Sequence, residues 1–197
     1  MSTGLAAVVL AAGASTRMGR PKALLRWRGR PFVSHAIEQA RWAGACPVVV
    51  VQGAVPLPDD ARPGARLVHN EAWAEGPLGS LQAGLRVLVD DDGTGPAALV
   101  LTVDRPHIAA ATLRALADAF GRDPSAIWQP QHGDRRGHPI LYPADLVAQV
   151  LALRATETPR DLLARPPVAA RRRSVAVDDP AVLDNLDRPE DLERLPP

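Results

Sequence analysis

Three strand-length runs in the 197-residue chain leave almost no polar face: Leu5–Ala11 (LAAVVLA), Pro47–Val51 (PVVVV) and Ala97–Val103 (AALVLTV). A strand that is apolar on both sides must be covered on both sides, as in a parallel sheet between helix layers. The segments between the runs fit that demand. Phe32–Ala43 carries Phe32, Val33, Ala36, Ile37, Ala40 and Ala43 near helical spacing, and Leu78–Val89 carries Leu78, Leu81, Leu85 and Leu88 three or four apart. Ala110–Phe120 and Pro143–Leu153 read as further helices, with a helical turn at Arg160–Ala164. Arg66–Asn70 reads as a short strand, and Ser174–Val177 as a late one. Ala126–Gln129 and Pro139–Tyr142 read as strands joined by a polar loop containing HGDRRGH. Pro189–Leu195 reads as a short closing helix with proline at its start. This alternation predicts one Rossmann-like, doubly wound α/β domain over residues 1–197, with a mostly parallel sheet. Ligands of such folds lie beyond the carboxyl ends of the strands, so active residues are expected just after the strand runs.

Composition removes several alternatives. With 46% apolar and 23% charged residues the chain is an ordinary globular one. At this length roughly 70% of the unfolded surface is buried on folding, enough for a core without staples. The formal net charge of +1 gives no field toward nucleic acid or an anionic membrane. Trp27, Trp42, Trp73 and Trp128 form no stacking series, so nucleic acid is not an expected partner, and no apolar run approaches the roughly 20 residues that span a bilayer, so a membrane is not one either. The single cysteine, Cys46, excludes an internal disulfide and a cysteine-built zinc site, and reads as inert packing before a strand. Leu5–Ala12 only loosely resembles a signal peptide, because no Lys or Arg precedes Arg17, and a cytoplasmic location is expected. Asp90–Pro96 (DDDGTGP) reads as a solvated turn. Lys and Arg number 23 together, yet Lys22 is the sole lysine. An ammonium retained in so arginine-rich a chain points to a position where a planar guanidinium has the wrong geometry.

Three segments carry chemistry. Leu10–Leu25 (LAAGASTRMGRPKALL) opens at the end of the first strand. Ala11, Ala12 and Gly13 let a ligand approach the backbone, and Ser15, Thr16, Arg17, Arg20 and Lys22 add hydroxyls and three cations. The spacing is neither a Walker A loop nor G-x-G-x-x-G, so a nicotinamide cofactor has no support. In Leu99–Pro106 (LVLTVDRP), Asp104 ends an apolar strand, where a carboxylate must be paired or bind metal. Mg²⁺ suits one or two carboxylates with phosphate oxygens and water, and the alternatives are pairing with Arg105 or capping the next helix. In Asp184–Leu192 (DNLDRPEDL), Asn185 and Asp187 face one side, and either is a candidate second magnesium ligand. The alternative is that Asp187 caps the closing helix. Arg171–Arg173 reads as a solvated strand end, with an acidic ligand as the alternative.

Taken in order, LAAGASTRMGRPK, NEAWAEGPLGSLQAGL, the strand ending in Asp104, GHPILYP and NLDRPEDL resemble the MobA-like nucleotidyltransferases, the molybdenum-cofactor cytidylyl- and guanylyltransferases. The resemblance covers nearly the whole chain and implies the nucleotide-diphospho-sugar transferase type of fold. It implies a magnesium-dependent enzyme in which a phosphorylated small-molecule acceptor, molybdopterin, attacks the α-phosphorus of a nucleoside triphosphate and pyrophosphate leaves. It implies Arg17 and Lys22 as phosphate clamp, catalytic with Asp104, and Asp104 with Asp187 as metal ligands. Ala11, Ala12, Gly13, Gly79 and Ser80 would read the base, and His138 and Arg160 would touch the acceptor, a plain strand-edge histidine being the alternative for His138. The AAG of Ala11–Gly13 is similar to that of the cytidylyl branch and implies CTP. Gly76-Pro77-Leu78 resembles the guanylyl branch, so GTP is the alternative, as is a sugar phosphate as acceptor. The family's Gly-Asp pair before the last strand is replaced here by ATETPRDLL. A molybdoenzyme receiving the product is a further implied partner, and a non-catalytic nucleotide-binding module is the reading from another class.

Overall fold

A computed structural model describes residues 4–197. The chain begins with β1 (Leu5–Ala11) and a small hairpin, β2 (Arg26–Trp27) and β3 (Arg30–Pro31). There follow α1 (Phe32–Trp42), β4 (Val48–Gln52), β5 (Arg66–His69), α2 (Pro77–Arg86), β6 (Ala97–Thr102) and α3 (Ala110–Arg122). The second half holds β7 (Ile127–His132), β8 (Arg135–Arg136), β9 (Ile140–Tyr142), α4 (Ala144–Leu151), α5 (Pro159–Ala164), α6 (Pro166–Ala169) and β10 (Arg172–Ala176). The main sheet runs β10-β7-β9-β6-β1-β4-β5, with β8 hydrogen-bonded to β7. Only β9, against β6 and β7, and β8, against β7, run antiparallel.

Side-chain alternation builds two cores from the apolar strands. Ala7, Val9, Val48, Val50, Leu99 and Leu101 face the layer of α1 and α3. Val8, Val49, Val51, Ala98 and Val100 face that of α2 and α4. Gly84 lets α2 lie close on the sheet, since a Cβ there would stand 2.6 Å from Val8 Cγ1 and 2.8 Å from Val51 Cγ2. From β1 the chain moves outward to β4 and β5, then crosses back to β6 on the other side. The order thus reverses between β1 and β6, and the crevice at their carboxyl ends is where such a sheet binds ligand.

Four features depart from the sequence reading. The loop of residues 132–138 contains β8, whose two arginines carry no apolar alternation. β10 starts at Arg172 rather than Ser174. The closing segment Pro189–Arg194 is a 3₁₀ helix, six residues between prolines, its Leu195 amide bonded to Leu192 O at 3.1 Å. Cys46 is exposed, because its amide donates to Leu5 O and its side chain turns outward ahead of β4.

Candidate active site

The segment after β1 is held by its backbone. Ser15 adopts φ 56° and Gly19 φ 73°, and Met18, 2% exposed, anchors the turn in the core. The Lys22 amide donates to Ser15 Oγ at 3.0 Å, which folds the loop over itself and aims Lys22 back at Gly13. Three cavities of about 290, 280 and 200 Å³ adjoin at Gly13. The first is bounded by Ala11, Lys22, Pro77 and Asp104. The second is bounded by Ala12, Trp73, Gly76 and Ser80, and the third by Ser15, Arg17, Lys22 and Asp187.

The second cavity ends on the amino terminus of α2, which opens with Gly76 at φ 128° and Pro77 and has no side-chain cap. Its free backbone N–H groups favour an acceptor or anion there. Asn70 Nδ2 donates to Ser80 Oγ at 2.9 Å, orienting that hydroxyl. Gly53 seats the indole, because a Cβ on it would lie 2.5 Å from Trp73 Cβ and 2.8 Å from Ala12 O. Sequence reasoning missed Asn70, Gly53 and Trp73 because each acts through contacts with a segment distant in sequence.

The third cavity is where the charges meet. Lys22 Nζ lies 2.6 Å from Asp187 Oδ1 and Arg17 Nη2 2.9 Å from Asp187 Oδ2. Lys22 and Asp187 are only 16% and 15% exposed, whereas Arg17 is 67% exposed. Asn185 Nδ2 donates to Asp187 Oδ2 at 2.6 Å, so the two face one side as their spacing predicts. Asp187 does not cap the closing helix. Asp191 does, accepting from the Asp187 and Arg188 amides at 2.8 Å each.

Asp104 pairs with Arg105 Nη1 at 2.7 Å, the alternative its position left open, and accepts from the Thr102 hydroxyl. It does not cap α3, whose Ala109 amide donates to Asp179 instead. The Leu186 amide donates to Asp104 O at 3.2 Å, setting the Asp104 and Asp187 segments side by side. No group of three or more His, Cys, Asp or Glu able to hold a metal occurs among the described residues. Asp104 and Asp187, on adjoining segments but each ion-paired, are ligands of the type that suits a hard divalent ion taking its other ligands from phosphate and water.

His138 lies near both Arg105 and Asp104. Burial, then the Arg105 charge, pushes its pKa down to about 4, and Asp104 opposes the shift. A neutral imidazole therefore stands near Asp104 and Arg105 at neutral pH, although His138 bounds none of the three cavities. The unfolded chain takes up this proton first as pH falls below 6.5, so stability is expected to drop between pH 6.5 and about 4. His138→Gln should flatten that fall by roughly 2–3 kcal/mol, read from urea unfolding of both proteins at about pH 7 and about pH 4.5. Arg160 is exposed on α5, which packs on α4 and α6, and it bounds none of the three cavities. Gly79 lies in the first turn of α2, its Cα side toward Asn70.

Residues 7–173 match the family described as MobA-like NTP transferase domain. The chain is 32% identical over 202 residues to a probable molybdenum cofactor guanylyltransferase of Opitutus terrae, covering 98% of this chain and 95% of that protein. It is 37% identical over 148 residues, 71% of each protein, to the nicotine blue oxidoreductase of Paenarthrobacter nicotinovorans. Among solved structures, a nucleotidyl transferase from Methanothermobacter thermautotroptrophicus superposes with TM-score 0.77 at 26% identity, covering 97% of this chain and 95% of that one. Rv0371C of Mycobacterium tuberculosis, in complex with manganese, gives TM-score 0.71 at 25% identity, covering 98% and 100%. These relatives agree with the α/β fold of the nucleotide-diphospho-sugar transferase type. No helix among the described residues is long and apolar enough to cross a membrane.

Proposed function

Given that the chain belongs to the MobA-like NTP transferase family and is a nucleotidyltransferase of that type, we propose that it moves GMP from GTP onto the phosphate of molybdopterin, releasing pyrophosphate. The observation that carries this reading is the convergence of Lys22, Arg17 and Asp104 on cavities that meet at Gly13. GTP rather than CTP is supported by the names of the guanylyltransferase relatives and by Gly76-Pro77-Leu78. Only Ala12 favours CTP.

The chemistry follows from charge. An oxygen of the acceptor phosphate bonds to the α-phosphorus as the bond to the bridging α,β-oxygen breaks, and the electron pair leaves with pyrophosphate. The attacking oxygen is already anionic, so no general base is needed. Each close pair of unit charges repels by about 1 kcal/mol in water and more in a dry site. Lys22 and Arg17 offset that repulsion and the charge growing on the leaving group. To do so they exchange Asp187 for phosphate oxygens, which accept the same hydrogen bonds. A divalent ion held by Asp104 and Asp187 would neutralise further phosphate charge. The base would occupy the cavity beside Ala12, with its edges read by backbone groups of Ala11–Gly13 and Gly79 and by the Ser80 hydroxyl that Asn70 orients. His138 would meet the acceptor, and the single domain would hold the complete site.

Pyrophosphate release with molybdopterin and each of GTP, CTP, UTP and ATP tests the proposal. GTP is expected to exceed CTP at least tenfold in kcat/KM, about 1.4 kcal/mol of discrimination. A CTP preference would hand base choice to Ala12. Silence with all four would sink the nucleotidyl reading and turn attention to the redox chemistry that one relative's name records.

A further inference from the structure

Away from the cavities that meet at Gly13, the far edge of the sheet carries two guanidinium groups, those of Arg172 and Arg136, that form no ion pair among the described residues. β10 lies along β7 with Arg172 beside Ile127 and Ser174 beside Gln129. These side chains therefore share the sheet face on which Ile127 joins the same apolar core as α2 and α4. Arg172 is half-buried. Its Nη2 donates to Gln129 Oε1 at 2.9 Å, while its Nε is buried with no partner. Arg136, on β8, donates from Nε to Ser174 Oγ at 2.9 Å. Desolvation and then the charge of Arg136 depress the ionisation of Arg172, and no carboxylate opposes them. Only the adjoining Tyr142 works against that shift, and it does so when ionised; burial pushes its pKa up to about 12, so at neutral pH it is an uncharged phenol.

A half-buried cation without a counter-charge is costly, and a second cation beside it raises the cost. Neither guanidinium is paired with a carboxylate among the described residues, so an oxyanion from outside the fold would gain both as partners. Guanidinium forks match oxyanions, which accept two parallel N–H bonds at once.

We propose that Arg172 and Arg136 form a second oxyanion site, separate from the nucleotide clamp, which receives an anionic group of the acceptor remote from the reacting phosphate. The acceptor assignment rests on the function proposed above, whereas the oxyanion site itself does not. Gln129, 5% exposed, ties the two regions together. Its Oε1 faces Arg172 and its Nε2 donates to Gly137 O at 3.1 Å, next to His138. An anion on Arg172 and the acceptor contact at His138 thus share one buried amide.

The test uses inorganic phosphate in a Lys22→Ala background, where the nucleotide clamp is disabled. Phosphate at about ten times its Kd should raise Tm by a few degrees over sodium chloride of equal ionic strength. Adding Arg172→Gln should abolish that shift. Adding Arg136→Gln, on an exposed strand that tolerates substitution, should weaken phosphate binding several-fold. Without phosphate, Arg172→Gln should leave Tm unchanged or raised, because an uncompensated charge is gone. A purely structural arginine would instead lower Tm, and that result overturns the proposal, as does a phosphate shift that survives Arg172→Gln. In turnover with otherwise unaltered protein, Arg172→Gln should raise KM for molybdopterin at least tenfold, with KM for GTP and kcat within about twofold. An unchanged molybdopterin KM would overturn the acceptor assignment. If the unsubstituted protein does not turn over at all, the proposed function fails, and the phosphate titration still decides the site.

Discussion

Lys22→Ala is expected to lower kcat/KM for the nucleoside triphosphate by about 10²–10³-fold, the loss typical of one preorganised donor at a developing charge. Its Tm should move by only about 3 °C or less, because Asp187 keeps Arg17 and Asn185 as partners. Steady-state kinetics beside a thermal melt reads both numbers. Lys22→Arg sharpens the test. It keeps the charge, but the slot is only 16% exposed, and a planar fork has to displace Asp187 to enter it. Recovery of less than about a tenth of the lost rate is expected. Full recovery would mean that the chain's only lysine is an accident of composition.

Gly137→Ala should cost roughly 2–3 kcal/mol and lower Tm by about 5–10 °C. A Cβ there would fall on the carbonyl oxygen of Val182 and stand 2.8 Å from its Cβ. That carbonyl already accepts from the His138 amide at 2.9 Å, so the backbone pair has to separate. Gly121→Ala is the matched control. It lies within α3 with nothing inside 4 Å of its ideal Cβ. Relief of helix-glycine entropy should stabilise that variant by about 0.5–1 kcal/mol. Thermal melts of the pair separate a steric cost from any general effect of added methyl groups, and equal melts would refute the close approach at Val182.

What could be read from the sequence was set by burial. β1, β4 and β6 were legible because strands covered on both faces admit little but apolar residues. The hairpin β2–β3 was not. Its turn places Arg28 at φ 47° and Gly29 at φ 75°, left-handed positions usually marked by Asn-Gly or Asp-Gly. Arginine conceals that signal, and two-residue strands show no alternation. α6 opens on Pro166-Pro167, and its four residues are too few for a helical period. The site divides in the same way. Arg17 and Lys22 follow β1, Asp104 follows β6, and Asp187 lies ahead of the closing 3₁₀ helix; all four sit in local motifs, so sequence brought them forward together. Arg172 sits in a run of three arginines that reads as a solvated edge. Only strand pairing distinguishes Arg171, bonded twice to Asp145, from Arg172 facing Gln129. Arg160 belongs to a local motif too, yet the fold carries it away from the cavities.

The pairing of Lys22 with Asp187 also bears on how the protein is made. The two residues lie 165 positions apart. At ribosomal speeds of about 5–20 residues per second, Asp187 emerges roughly 10–30 s after Lys22. Throughout that interval the loop after β1 presents Arg17 and Lys22 without Asp187 to hold them, and β4 and β6 both emerge to pair with β1 before it ends. The sheet can therefore form before the clamp is closed, and in that period the nascent loop is open to the polyanions that surround a ribosome.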